Sequence, residues 1–176
     1  LSELLCRHES SHGKGTLLSS ADSAIHIAEV DIECLTELMM GIPLRGESEI
    51  EALRDSRIRN ALCRYLFELF VDESNARADD TKGVLSSGDA ATAMLMSRMT
   101  MGAAVDAATV AYGSFNTKAK WRFKRLRQLQ LAELEMAYLE LEVEISDKSE
   151  DLMTRSRERL LAASGILEIA RSRLNA

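Results

Sequence analysis

The chain has 176 residues, 46% apolar and 28% charged, with one proline and a formal net charge of -6. That length is enough to bury a real core, and the apolar fraction excludes wholesale disorder. The acidic balance excludes nonspecific nucleic-acid binding by the chain as a whole, though not by a local basic patch.

Few aromatics and abundant Ala, Leu, Glu and Arg set the expectation at helix. The chain opens on Leu1, as a fragment or processed product would, and its first residues lack the basic-then-apolar layout of a signal peptide. Residues 1–20 read as an N-terminal segment, a short helix followed by a flexible stretch with Gly13 and Gly15 among serines. A single helical domain is expected over 21–176.

Within it, residues 21–40 read as the first helix, capped by Ser20 and stopped by Gly41. Ile25, Ala28, Ile32, Leu35 and Met39 recur at steps of three and four, and the helix is acidic, with no Lys or Arg between Lys14 and Arg45. Gly41, Pro43 and Gly46 mark a turn, and Ser48 with Glu51 forms a capping-box pattern that opens a helix over 49–71. Residues 72–88 are polar, hold Gly83 and show no periodicity, so they read as a long connection, functional or disordered.

Asp89 then caps an Ala- and Met-rich helix over 90–112, ended or bent by Gly113. Neither Gly nor Pro occurs from residue 114 to 164, and Leu131, Leu134, Tyr138, Leu141 and Ile145 keep heptad spacing, which predicts a helix over 116–145. The strict alternation of residues 139–145 is a strand pattern, but its flanks are helix formers and it has no partner strand. The heptad frame shifts at 146–149, where either one helix passes through with a stutter or, as Ser149 with Glu150 and Asp151 favours, the chain reverses into a helix over 150–174. The fold class is all-α: an antiparallel helical bundle with a long C-terminal coiled-coil-like helix or helical hairpin. At helical rise, 116–145 would span roughly 45 Å, so part of it should protrude and pair with another chain.

The chain carries no catalytic signature, and the expectation is no enzyme, no cofactor, no metal and no small-molecule substrate. There is no Glu-x-x-His pair, phosphate loop, dinucleotide fingerprint or His-Glu-x-x-His motif. His8, His12 and His26 are too few for a metal site, and the acids of 140–144 read as a solvated face. Cys6, Cys34 and Cys63 are too widely spaced for zinc and leave at least one free thiol. Read as buried reduced thiols on helix flanks, they favour a reducing, cytoplasmic compartment, and secretion from a bacterial cytoplasm would leave the same trace.

Two features point to partners. No acid occurs between Asp106 and Glu133, and Lys118, Lys120, Arg122, Lys124, Arg125 and Arg127 crowd around Trp121 and Phe123. On a continuous helix Lys118, Arg122 and Arg125 would share a face. Such interleaving suits an acidic protein surface first, then a nucleic-acid backbone with base stacking, and less well an anionic membrane. The plain alternative is pairing with the acidic helix 21–40. The second feature is Met94, Met96, Met99 and Met101, followed by alanines at four-residue spacing, which forms either a tightly packed core helix or an adaptable contact surface. The expected function is a non-enzymatic interaction or scaffold protein that self-associates or docks in a larger assembly. By general analogy that assembly is a bacterial secretion or virulence system. The alternative is a nucleic-acid-binding regulator or packaging protein using residues 118–127.

Overall fold

The structure, a computed structural model, describes residues 18–20, 23–25, 29–54, 57–115, 118–143 and 149–175. The fold is all-α, with seven α-helices among the described residues. It divides into two compact units between Tyr65 and Leu66.

In the first unit β1 (Leu18–Ser20) pairs antiparallel with β2 (Ser23–Ile25), Leu18 opposite Ile25 and Ser20 opposite Ser23. This hairpin, too short to make a sheet layer, takes residues 23–25 out of the helix expected over 21–40, of which 21–22 and 26–28 lie outside the described residues. Ser19, Ser20 and Ser23 are poor helix formers, and Ile25 is β-branched. The helix is shortened to α1 (Glu29–Met40), which buries Ile32, Thr36 and Met39 along one stripe. Gly41 stops it as expected: a Cβ there would lie 2.9 Å from the Glu37 carbonyl, the oxygen that Gly41 N–H bonds at 2.7 Å. Next comes α2 (Glu47–Arg54), which starts before the expected capping box because Gly46, at φ +69°, offers its carbonyl to Ile50 N–H. Ser48 Oγ bonds Glu49 at 2.9 Å rather than serving as a cap. Arg54 reaches back to donate to the Leu38 and Gly41 carbonyls, satisfying the open end of α1.

Helix α3 (Arg57–Ser87) continues through 72–87, correcting the connection expected over 72–88. That stretch lacks apolar periodicity because the face it buries is made of hydroxyls. Ser74 Oγ donates to the Thr100 carbonyl at 3.1 Å, and Thr81 Oγ1 lies 3.4 Å from Thr100 Oγ1. Outside, Lys82 pairs with Asp79 at 2.8 Å. Gly88, at φ +79°, turns the chain, and Asp89 accepts from Thr92 N–H at 3.0 Å to open α4 (Ala90–Ala111). Residues 101–110 of α4 are all buried, the centre of the second unit.

After Gly113 the chain makes a 3-10 turn (Ala119–Trp121), α5 (Arg122–Gln128) and α6 (Ala132–Val143). The continuous helix expected over 116–145 is therefore broken. Gln130 adopts φ +57°, Gln130 N–H bonds the Arg127 carbonyl and Leu131 N–H bonds the Leu126 carbonyl, each at 3.0 Å. This closure lets Leu126 and Leu134 both reach the core. The twelve residues of α6 span only about 18 Å, so the protruding 45 Å rod does not form. Helix α7 (Ser149–Leu174) starts one residue before the expected 150, so Ser149 is its first residue, and the rest of the reversal expected at 146–149 lies outside the described residues. The helix runs parallel to α4: Arg159 meets Met94 near one end and Arg173 lies over the Tyr112 ring, 5.3 Å from its centroid, at the other.

Candidate interaction surface

The basic cluster does not present one face. Lys118 is extended (φ -113°, ψ 113°) ahead of the 3-10 turn, so the shared face of Lys118, Arg122 and Arg125 is not formed. Arg122 turns inward to α4. Its Nη2 lies 2.6 Å from Asp106 Oδ2, and its Nε lies 3.0 and 3.1 Å from the two carboxylate oxygens. The guanidinium occupies the space that a side chain at position 102 would fill: a Cβ on Gly102 would sit 2.6 Å from Arg122 Nη1. That close approach explains a glycine inside a buried helix, where it otherwise costs roughly 0.5–1 kcal/mol relative to alanine. Burial works against both charges. It pushes the Asp106 carboxyl up, opposed by the Arg122 bonds, and for Arg122 the bonds to Asp106 and Tyr138 win, holding it above the ordinary arginine value. The forked geometry makes the contact an ion pair. Phe123 is half-buried beside it, its ring 4.8 Å from that of Tyr138.

What remains outside is a smaller patch. Trp121 is 42% exposed, with Lys120 Nζ 5.4 Å and Lys124 Nζ 5.1 Å from its ring centroid. Both distances are within cation–π range. Lys118 is also exposed. Arg127 pairs with Glu135 on α6. Arg125 is half-buried, its Nε enclosed without a hydrogen-bond partner among the described residues, and burial lowers its pKa. The four methionines separate by face: Met94 and Met101 are buried, Met96 is half-buried, and Met99 is exposed, one turn along from the exposed Leu95.

A second polar cluster was not anticipated. Glu142, expected on a solvated face, is held between two helices: its Oε2 accepts from Arg98 Nε of α4 at 3.0 Å, and its Oε1 from Arg159 Nε of α7 at 3.1 Å. Arg159 is 0% exposed. Burial lowers its pKa, against the pull of Glu142. Three arginines also bond the last carbonyls of α6: Arg155 that of Glu140, Arg159 that of Leu141, and Arg98 that of Glu142. Three of the four acceptors that a helix end leaves open are thus met. The only sequence signal was the position of Glu142 in the last turn of a helix, where an acid opposes the dipole unless cations meet it.

Comparison of the chain with protein-family models, with curated proteins and with solved structures gives no match. Among the described residues no three His, Cys, Asp or Glu side chains gather as a metal site, and no helix is long and apolar enough to cross a membrane.

Proposed function

We propose that this chain is a non-enzymatic helical interaction protein that docks an acidic protein surface through Lys118, Lys120, Trp121 and Lys124. Self-association, or a place in a larger assembly such as a bacterial secretion system, belongs to the same reading. The observation that supports it is the exposed indole flanked by two ammonium groups. An aromatic anchor already ordered by its neighbours loses little entropy on binding, and tryptophan is enriched among residues that dominate interface energies. The lysines add steering toward negative charge. The same indole could stack a nucleic-acid base, which keeps the regulator reading as the second one.

Anisotropy with labelled poly-glutamate, duplex DNA and single-stranded DNA across a salt series separates the two. Binding to poly-glutamate that weakens with salt and is lost in Lys120→Glu/Lys124→Glu and in Trp121→Ala is the expected result. Preference for single-stranded DNA with the same losses transfers the site to the second reading. If no polyanion binds at low salt, both fail.

A further inference from the structure

Helices α3 and α7 both lie against α4, and a groove of about 540 Å³ opens between them over Thr100. That volume is within the range of small-molecule sites, roughly 300–1,000 Å³. Among the described residues three cationic side chains line it, Lys82 from α3 and Arg157 and Arg171 from α7, and no acid does, in a chain whose net charge is -6. Arg157 and Arg171 make no ion pair among the described residues, and the Lys82 pair with Asp79 is exposed and easily exchanged. Between the cations the wall is mainly apolar, formed by Ala78, Leu160 and Leu167, with Asn75 and Ser164 as its polar members. The hydroxyls of the floor are already engaged: Ser74 donates to the Thr100 carbonyl at 3.1 Å and Thr100 to the Met96 carbonyl at 3.0 Å. The charged contacts the groove offers lie at its two ends, Lys82 and Arg157 at one and Arg171 at the other.

The helix directions decide which cations act together. Helix α7 runs parallel to α4, and α3 returns antiparallel to α4 through the Gly88–Asp89 turn. Lys82 therefore lies at the Arg157 end, and Arg171 lies at the other. Ten residues separate Arg157 from Leu167, about 15 Å at helical rise. A bare phosphate would use only one end and leave the apolar wall uncovered.

We propose that the groove binds a single-chain amphipathic anion, its carboxylate or phosphate head held by Lys82 and Arg157 and its hydrocarbon chain laid along Ala78, Leu160 and Leu167. The site is separate from the Trp121 patch and does not depend on how that patch is used. Calorimetric titration of the full chain with dodecanoate, dodecyl phosphate and dodecanol, each below its aggregation concentration, tests it. The expected result is saturable one-to-one binding of at least one anion and much weaker binding of the alcohol. Lys82→Glu/Arg157→Glu should weaken the anion about tenfold or more, and Lys120→Glu/Lys124→Glu should leave it unchanged. Stronger binding of dodecanoate identifies a fatty-acid type of ligand, and stronger binding of dodecyl phosphate a phospholipid type. Ser164→Trp, an exposed position on the groove wall, should block both. Circular dichroism confirms that each variant is folded, and the exposed charge reversals carry the test if Ser164→Trp is not. No saturable binding, equal binding of dodecanol, or indifference to the Lys82/Arg157 reversal would overturn the proposal.

Discussion

Gly102 and Arg122 make one unit of two residues, and the sign of a single substitution tests it. Alanine in place of glycine inside a helix ordinarily stabilises by roughly 0.5–1 kcal/mol. At position 102 it should destabilise instead, because the new Cβ would stand 2.6 Å from Arg122 Nη1 and push the guanidinium off Asp106. Arg122→Ala should cost about 3–5 kcal/mol, since it leaves the Asp106 carboxylate buried without its partner. In the Arg122→Ala background Gly102→Ala should become neutral or stabilising. Urea unfolding of the four proteins gives the cycle. If Gly102→Ala stabilises the wild type, the guanidinium gives way without losing Asp106, and the two residues are not one unit.

Element ends differ in how openly the sequence writes them. The start of α4 was legible, because Asp89 is a capping residue and accepts the Thr92 N–H and hydroxyl, at 3.0 and 2.6 Å. Those bonds lower the Asp89 pKa. A carboxylate depressed in the folded state stabilises above its unfolded value, and that contribution fades as pH falls through its folded value. Asp89→Ala should therefore melt at a lower temperature than wild type near pH 7, and the two melting curves should converge in acid. A gap that persists at low pH would mean the cap does not act through its charge. The 72–88 portion of α3 was hidden for the opposite reason, since Ser74 and Thr81 fill positions where periodicity looks for apolar side chains. The break at Gln130 was hidden too, because a glutamine occupies the left-handed position usually marked by glycine. The basic cluster was visible as composition. Its division into an inward Arg122 and an outward Trp121 goes with the 3-10 turn ahead of α5 and with the space at Gly102, which no spacing within 118–127 records.

At the scale of the whole molecule, the second unit is held by buried charge as well as by apolar packing. Asp106 with Arg122 joins α4 to α5, and Glu142 with Arg98 and Arg159 joins α6 to α4 and α7. Taking charges out of water is costly, so such a cluster fixes the arrangement of helices more surely than it adds net stability. The two effects can be separated. Glu142→Ala leaves Arg159 buried with no carboxylate, and should cost about 3–5 kcal/mol. Replacing all three residues at once, Arg98→Met, Glu142→Leu and Arg159→Met, removes the stranded charge and should recover most of that loss. Denaturant midpoints at unchanged m-value report the stability, and near-ultraviolet circular dichroism reports whether the aromatic packing stays fixed. A triple variant as stable as wild type but with a weakened aromatic signal would show that the cluster specifies how α4, α6 and α7 pack. A Glu142→Ala variant within about 1 kcal/mol of wild type, well below the cost of stranding a buried charge, would show that Arg159 finds another partner and that the clasp does not hold the helices together.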